Sequence, residues 1–414
     1  MAQAARLVGR RLIGARRFVP TALVAALAAY TVARAALRFP FADDFDLAVG
    51  KWPPAASWLW AQHNEHRLPL AKLLLAACAR HGDFRVGPWL SLALLTGACA
   101  WLVARLGRER PLLVLLAPVL LLDPTSNAWR WDAELQGVGC VVLVLVALVH
   151  ALDARRVRDA IVFAVASLLL PLFGGAGVIF SGATIAAAMV LARDTRLPPR
   201  ARAIVAAGAI ATLAVDAAWL HGWTRPAAHA VYVAGGARAL ALLAARLLVA
   251  PLGALGERAP VPLAVAVALA LVAVVARAGR QRLLLALFLA ANAALVAVIA
   301  AARAGRGWIV GLEAHYALLV VPAYVVALVA AGARAPRLAW LAGALALAAC
   351  LAAVPTTTRE SRLRERTFVA DCGTEPPDAL AARYLPLFWD ADTPRARATV
   401  SAWIASLDCA ALRR

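Results

Sequence analysis

Acidic side chains cluster in an early segment, residues 39–67, of a chain that is otherwise mostly apolar. Three carboxylates fall within four positions, at Asp43, Asp44 and Asp46. Neighbouring carboxylates suit general-base chemistry, because one can accept a proton while the other raises its proton affinity by like-charge repulsion. We therefore expect Asp43 or Asp44 to be a catalytic base, with a solvated, helix-capping loop as the alternative.

A second polar cluster, HNEHR, follows about twenty residues later and ends the same segment. Arg and His side chains suit a phosphate group, so we expect His63, His66 and Arg67 to bind one, and Glu65 to orient a sugar or an acceptor. A structural pair of hydrogen-bonded histidines is the alternative. The spacing matches neither the H-E-x-x-H nor the H-x-x-E-H zinc pattern. No cofactor is certain, and a divalent metal stays possible.

The composition is that of a membrane protein. The 414 residues are 63% hydrophobic, with a mean hydropathy of +0.76. Repeated long apolar runs predict membrane-spanning helices and exclude an ordinary soluble domain. The net charge of +20 comes mainly from Arg in the short gaps between these runs. The positive-inside rule accounts for this pattern. We therefore expect membrane lipid as a partner and no nucleic acid.

The charge pattern also predicts a topology. Residues 1–17 are rich in Arg and are expected in the cytoplasm, followed by a domain of about eleven spans over residues 18–355. Residues 39–86 then form an extracytoplasmic loop, and residues 356–414 an extracytoplasmic tail. We interpret 67–81 and 237–256 as interfacial helices, because each is short or interrupted by charge. If 67–80 also spanned, later Arg clusters would move outside.

Under this topology, most of the unusual polar residues collect on the outer face. Ionisable residues at a membrane boundary are costly unless they are paired or functional. We expect Arg130 and His315 to join the phosphate site. Aromatic rings stack on sugars, and carboxylates accept hydroxyl hydrogen bonds, so further contacts to sugar or acceptor are expected from outer-face residues. These are Trp60, Glu65, Glu134 and Tyr316.

The chain resembles the bacterial multispanning glycosyltransferases of the GT-C fold. The resemblance lies in the order of a first helix, an acidic pair in the first outer loop and then an N-E-H-R segment. These include relatives of protein mannosyltransferases and of enzymes that glycosylate lipopolysaccharide. The stretch WRWDAELQG, residues 129–137, is similar to their acidic, Trp-containing second outer loop. An Arg-Tyr pair often opens a late helix in the family, whereas this chain has His315-Tyr316. The resemblance covers residues 15–140, and beyond them only the hydropathy is similar.

The resemblance implies an all-α integral membrane enzyme in the bacterial inner membrane. It implies a polyprenyl-phosphate sugar donor, a lipid or polysaccharide acceptor, and inverting transfer at the periplasmic face with an acidic residue of the first loop as base. A flippase or transporter of lipid-linked sugars is an alternative, although it would favour internal repeats and polar residues at mid-membrane. A non-catalytic envelope-assembly protein is another.

Two cysteines, Cys372 and Cys409, lie in the polar tail, whereas the other four lie in apolar runs. The predicted topology places the tail in an oxidising compartment, where disulfides persist. Closing a loop of this length would stabilise the tail by about 3–4 kcal/mol in the chain-entropy model. We therefore expect a Cys372–Cys409 disulfide.

Overall fold

The computed structural model describes most of the chain, and its described residues are about 80% helical with no strand. The described ranges are 16–36, 38–41, 43–80, 82–123, 126–129, 131–226, 236–253, 256, 258–306, 312–331, 363, 365–388 and 393–412. Within them, the backbone alone is described at 109, 127, 132, 280, 306, 312–315, 386–387 and 411–412.

Several helices begin at a proline, which tolerates the first helical position because its missing N–H would have no helical partner there. The helices with described bounds are α1 (Val19–Ala35), α2 (Asp44–Leu47), α3 (Ala56–Trp60), α4 (Pro69–Ala79), α5 (Val86–Leu106), α6 (Pro111–Leu121), α7 (Leu135–Leu152), α8 (Val157–Leu169), α9 (Gly175–Arg193), α10 (Pro199–Leu220), α11 (Ala237–Val249), α12 (Pro260–Ala276), α13 (Arg282–Arg303), α14 (Leu312–Ala331), α15 (Pro377–Phe388), α16 (Pro394–Ala405) and α17 (Cys409–Leu412).

Five helices of the described chain are long and apolar enough to cross a membrane, namely α5, α7, α9, α10 and α13. Shorter apolar helices accompany them, including α1, α4, α6, α12 and most of α14. The expectation of an all-α membrane protein is confirmed at this level. Eleven spans and the GT-C arrangement stay predictions, and the span expected at 338–354 lies outside the described residues.

The bundle core forms around α7, whose Val and Leu side chains are buried on nearly all sides. A helix that is apolar all round is suited to the centre of a bundle. By contrast, α10 and α12 expose large apolar side chains, with Ile210 at 71% and Leu269 at 66% exposure. Such exposure in water would be costly, so these faces are suited to lipid.

The short helices α4 and α11 coincide with the segments interpreted as interfacial. At 1.5 Å per residue, the 11 residues of α4 extend about 16 Å and the 13 residues of α11 about 20 Å, which is short of a 30 Å hydrocarbon core. Leu75 and Ala76 of α4 are buried in the bundle core. The position of either helix relative to the bilayer stays a prediction.

The turn between α8 and α9 brings the start of α9 against residues 66–68. Gly174 has φ +106, a left-handed conformation that favours glycine, and a Cβ there would lie 2.6 Å from Leu68 Cδ2. A Cβ on Gly177 would lie 1.8 Å from the Leu170 carbonyl oxygen. These glycines are required because the chain reverses at close backbone contact.

The end of the chain forms a small helical unit with its own core, which we call the C-terminal unit (residues 365–388 and 393–412). Its core contains Phe368, Leu385 and Val400, and it also takes in Phe39 and Phe45 from the first loop. A disulfide joins Cys372 to Cys409, the pairing that the sequence predicts. The first loop and the C-terminal unit therefore lie at the same end of the bundle.

A separate ionic cluster marks the opposite end of the bundle. Arg105 Nη2 lies 3.3 Å from Asp153 and 3.5 Å from Asp159, and His150 Nδ1 lies 3.1 Å from Asp159. Asp159 is buried, so the surrounding positive groups compensate its charge. The cluster ties the ends of α5, α7 and α8 together.

Candidate active site

The H-N-E-H segment forms a tight hairpin at one end of the bundle. The His63 N–H donates to the His66 carbonyl at 2.7 Å, and the His66 N–H donates to the His63 carbonyl at 2.8 Å. Asn64, within the turn, has φ 48, and Asn is among the residues that best tolerate this region. The two hydrogen bonds fix the histidines at adjacent positions.

Asp43 is the accessible carboxylate of the acidic pair. Its side chain is 36% exposed and its Oδ1 lies 3.6 Å from His63 Nε2. This distance exceeds a normal hydrogen bond and is an electrostatic contact. His63 Nε2 also lies 3.0 Å from Asn64 Nδ2. A carboxylate beside an imidazole, open to solvent on one side, can accept a proton from a bound hydroxyl.

Asp44, the other carboxylate of the acidic pair, is buried. Its Oδ2 accepts a hydrogen bond from the Phe41 N–H at 3.0 Å, and its Oδ1 has no hydrogen bond within the described part of the chain. Burial raises the pKa of Asp44 well above its usual range, opposed by the Phe41 N–H and reinforced by the charge of Asp43. The raised pKa favours the protonated, neutral form of Asp44. Its burial keeps the side chain away from an acceptor substrate.

Trp131, from the connection between α6 and α7, supports the loop of residues 39–49, which carries the acidic pair and which we call the acidic loop. Its indole N–H donates to the Phe41 carbonyl at 2.9 Å, and its ring meets the Phe41 ring edge-on at 5.5 Å. The neighbouring Trp129 is fully buried and donates from Nε1 to the Asp123 carbonyl. The Trp-containing stretch therefore acts on the site through packing and backbone contacts.

Glu65 is held by an arginine that is distant in sequence. Arg303, at the end of α13, donates from Nη1 to Oε1 at 2.5 Å and from Nη2 to Oε2 at 3.0 Å. Both side chains are largely buried, at 14% and 11% exposure. Tyr316 of α14 lies beside the same guanidinium. Glu65 thus fastens the hairpin to the bundle, and its contact to a sugar or an acceptor stays a prediction.

His66 is a neutral imidazole at physiological pH. The Gly175 N–H points at its Nδ1 at 3.4 Å, which leaves the neutral ring's proton on Nε2. Loss of surrounding water lowers its pKa to about 4; the charge of Arg303 adds to this effect and that of Glu65 opposes it. The prediction that His66 binds phosphate therefore reduces to one neutral hydrogen bond, without a positive charge.

Arg67 and the residues around it are tied to the end of α10. Arg67 Nη2 donates to the His221 carbonyl at 2.8 Å, and the Trp219 indole donates to the Arg67 carbonyl at 2.8 Å. The Trp223 indole donates to the Glu65 carbonyl at 2.9 Å. One guanidinium N–H of Arg67 is thus used on backbone, which reduces what it can offer to a phosphate.

The Gln62 side chain makes two hydrogen bonds with the backbone of Thr224, beyond the end of α10. Its Nε2 donates to the Thr224 carbonyl at 2.5 Å, and its Oε1 accepts from the Thr224 N–H at 3.1 Å. Gln62 also donates to the Asn64 carbonyl at 2.7 Å. The hairpin therefore has fixed contacts on both sides.

Lys72 is a buried cation that the sequence reasoning missed. Its Nζ donates to the carbonyls of Trp58 and Ala61 at 2.8 and 2.6 Å, and lies 5.2 Å from the Trp58 ring. It thus donates to two carbonyls at the end of α3, the helix that carries the half-buried Trp60. A lone lysine within the apolar run 68–79 was the available signal.

Four further residues were predicted in the site, and the structure describes the side chains of only two of them, Glu134 and Tyr316. Glu134 is buried at the start of α7, where the helix dipole favours a carboxylate. Its contact to a sugar or an acceptor stays a prediction. Arg130 lies outside the described residues, and only the backbone of His315 is described, within the first turn of α14. Tyr316 reaches the cluster beside Arg303.

Within the described residues, no group of three His, Cys, Asp or Glu side chains is arranged to hold a metal ion. The cluster that the structure does assemble contains Asp43, His63, Glu65, His66 and Arg303, with Arg67 and Tyr316 at its edge. It can accept a proton, and it can offer hydrogen bonds to an anion. No family model, curated protein or solved structure matches this chain.

Proposed function

We propose that this protein is a membrane glycosyltransferase that moves a sugar from a polyprenyl-phosphate donor to a lipid or polysaccharide acceptor of the bacterial cell envelope. The observation that carries the proposal is the accessible Asp43 carboxylate, 3.6 Å from His63, among polar residues that four distant parts of the chain bring to one end of an apolar bundle. A lipid-linked donor could reach such a site from the membrane.

In the proposed reaction, the oxygen of the acceptor hydroxyl attacks the anomeric carbon of the sugar, and Asp43 takes the proton of that hydroxyl. The bond from that carbon to the donor phosphate oxygen breaks, and polyprenyl phosphate leaves with the bonding electrons, which inverts the anomeric centre. His63 and the remaining N–H groups of Arg67 face the phosphate, and His66 adds a neutral hydrogen bond. Asp44 keeps the loop in place and does not take the proton.

A flippase of lipid-linked sugars is the second candidate, favoured by one buried carboxylate. Asp216 lies in α10, a helix long enough to cross the membrane, and accepts a hydrogen bond from Ser181 Oγ of α9 at 2.6 Å. Ionisable side chains inside a membrane are costly and mark transport pathways in many proteins. The flippase would move the donor without breaking its sugar–phosphate bond.

The test is turnover by the purified full-length protein in lipid nanodiscs. The probes are undecaprenyl-phosphate hexoses and pentoses with a radiolabelled sugar, with bacterial envelope lipids as acceptors. Transfer of the label, with release of undecaprenyl phosphate, supports the proposal. Movement of intact donor between the leaflets of proteoliposomes, without sugar release, identifies a flippase. Absence of transfer from every donor overturns the glycosyltransferase proposal.

Asp43→Asn tests the role of the base, because it preserves size while removing the proton acceptor. We expect turnover to fall by roughly 10²-fold or more. Asp46→Asn is the matched control, since Asp46 lies in the same loop but pairs with Arg395 at 2.9 Å. A near-normal rate for Asp43→Asn would remove the acidic loop from the chemistry.

A further inference from the structure

The aromatic residues that flank the acidic pair are buried in the C-terminal unit. The Phe39 ring lies 5.1 Å from Phe368 and 5.7 Å from Trp403, and the Phe45 ring lies 5.7 Å from Trp403. All three contacts are edge-to-face, the geometry that aromatic pairs prefer. The loop that carries Asp43 is therefore anchored at both ends, before and after the acidic pair, in the same small core.

An ion pair adds to this anchor from the surface. Arg395 of α16 donates to Asp46 Oδ2 at 2.9 Å, but both side chains are exposed, so the pair adds little stability. On the opposite side, Trp131 holds the Phe41 carbonyl. The acidic loop thus lies between the bundle and the C-terminal unit, with the aromatic contacts as its main attachment to the latter.

The disulfide controls the part of the unit that makes these contacts. Cys372 is fully buried beside Phe368 in the small core, and Cys409 follows α16, the helix that carries Trp403. The bond closes a segment of 37 positions that contains both α15 and α16. A core of this size rarely holds together without a covalent link. We therefore expect the position of Trp403 to depend on the bond.

We propose that the C-terminal unit is a positioning element for the acidic loop, that Phe39 and Trp403 are its positioning residues, and that it works only when the Cys372–Cys409 disulfide is formed. Formation removes two electrons and two protons, which pass to an external thiol–disulfide oxidant. Dithiothreitol reverses it by supplying both and becoming a cyclic disulfide. The effect on catalysis rests on the proposed function, whereas the effect on the loop does not.

The first test measures hydrogen–deuterium exchange of full-length protein in nanodiscs. We expect the peptide covering residues 39–49 to exchange about 10-fold faster in Phe39→Ala, and in the Cys372→Ser/Cys409→Ser double variant, because its anchor opens locally. A peptide from α7 should be unchanged, which shows that the bundle is folded. Arg383→Gln is the matched control, since Arg383 pairs with Asp371 and Glu375 inside the unit and does not touch the loop.

The second test measures turnover in the same variants. A misplaced base lowers kcat, so we expect about a 10-fold loss in kcat with the donor KM within about 3-fold of the wild type. Phe39→Leu, which retains apolar volume, should recover most of the rate. If the wild type transfers no sugar, the proposed function fails, while the exchange measurement still decides the positioning role.

Unchanged exchange of residues 39–49 in the disulfide-free variant would overturn the proposal. Faster exchange confined to residues 365–388 would do the same, because the unit would then loosen without affecting the loop. Should Phe39→Ala unfold the bundle, Trp403→Leu replaces it and weakens the same contact from the other side.

Discussion

Asp43 and Asp44 are neighbours in the sequence, yet their carboxylates occupy opposite environments. Asp43 faces solvent and His63, while Asp44 is buried against the Phe41 N–H. A base must be reached by its substrate and must be ionised before it acts. Under the proposed function, these two conditions favour Asp43 as the proton acceptor and give Asp44 a supporting role.

Asp44→Asn should make the protein more stable at neutral pH than the wild type. The pKa of Asp44 is raised in the folded protein. Its contribution to the stability of the fold is therefore present below the unfolded-state pKa of about 4 and is lost as the pH rises through the folded-state pKa. The Asn variant does not titrate. We expect its gain in Tm to be about 2 °C larger at pH 7.5 than at pH 4.5.

Thermal unfolding in nanodiscs, followed by circular dichroism, measures this difference. Asp46→Asn serves as the control, because Asp46 is partly exposed and pairs with Arg395. A gain in Tm that does not change with pH would show that Asp44 is ionised in the folded protein.

His66 should produce the opposite pH dependence. Its pKa is lowered to about 4, so its contribution to stability is present above the unfolded value of about 6.5 and is lost as the pH falls toward 4. We expect the loss to reach about 2 kcal/mol at pH 4, discounted for the partly exposed ring.

His66→Asn should flatten the stability profile between pH 6.5 and 4, since the amide does not titrate there but can still accept from the Gly175 N–H. His221→Asn, which changes an exposed side chain, should leave the profile as in the wild type. An unchanged profile in His66→Asn would contradict the neutral, partly buried imidazole.

At the scale of elements, the hairpin of residues 63–66 is held by helices that lie far away in the sequence. The end of α10 holds its backbone, the start of α9 faces His66, and the end of α13 holds Glu65. Each helix end supplies at least one contact, so the site is rigid only when the bundle is assembled. Loops placed by a rigid scaffold are common sites of catalysis.

The Glu65–Arg303 pair should contribute strongly to this rigidity. Glu65→Gln removes the carboxylate that pairs with the largely buried Arg303 guanidinium, and removing one partner of a buried pair typically costs about 3–5 kcal/mol. The double variant Glu65→Gln/Arg303→Gln should cost less than the sum of its single variants, because no buried charge is left over.

The matched control is the Asp194–Arg196 pair, in which the guanidinium also contacts both carboxylate oxygens, through Nε and Nη2, but the arginine is exposed and lies at the other end of α9. Asp194→Asn should cost less than about 1 kcal/mol, as exposed pairs do. Chemical denaturation of all variants compares the two pairs. Equal losses at both would show that the Glu65–Arg303 contact is not a buried clamp.

At the scale of the whole molecule, the two ends of the bundle carry different chemistry. One end has the acidic loop, the hairpin and the C-terminal unit, and the other has the Arg105–Asp159 cluster and the connection at Arg196. We expect the first end to lie outside the cytoplasmic membrane, because the Arg-rich connections favour the inside.

Labelling with a membrane-impermeant maleimide tests this orientation. In a background with Cys350 replaced by Ala, Lys51→Cys should react in intact spheroplasts, and Arg196→Cys only after permeabilisation. Reaction of Arg196→Cys in intact spheroplasts would reverse the topology and would place the disulfide in a reducing compartment.

The sequence alone determined the features that depend on local pattern. Long apolar runs predicted an all-helical membrane protein, because the backbone must satisfy its hydrogen bonds within each crossing segment. The two cysteines in polar sequence predicted their disulfide. The acidic pair and the HNEHR cluster were recognised as unusual, because they concentrate polar side chains in a chain that is mostly apolar.

Only the tertiary structure decided which of these residues are open to a ligand. Burial separates Asp43 from Asp44, and a pairing across 238 positions gives Glu65 to Arg303. The anchoring of the first loop in the C-terminal unit, through Phe39 and Trp403, joins segments from opposite ends of the chain. Such contacts follow from how helices pack around a shared core, and neither residue type nor spacing along the chain encodes them locally.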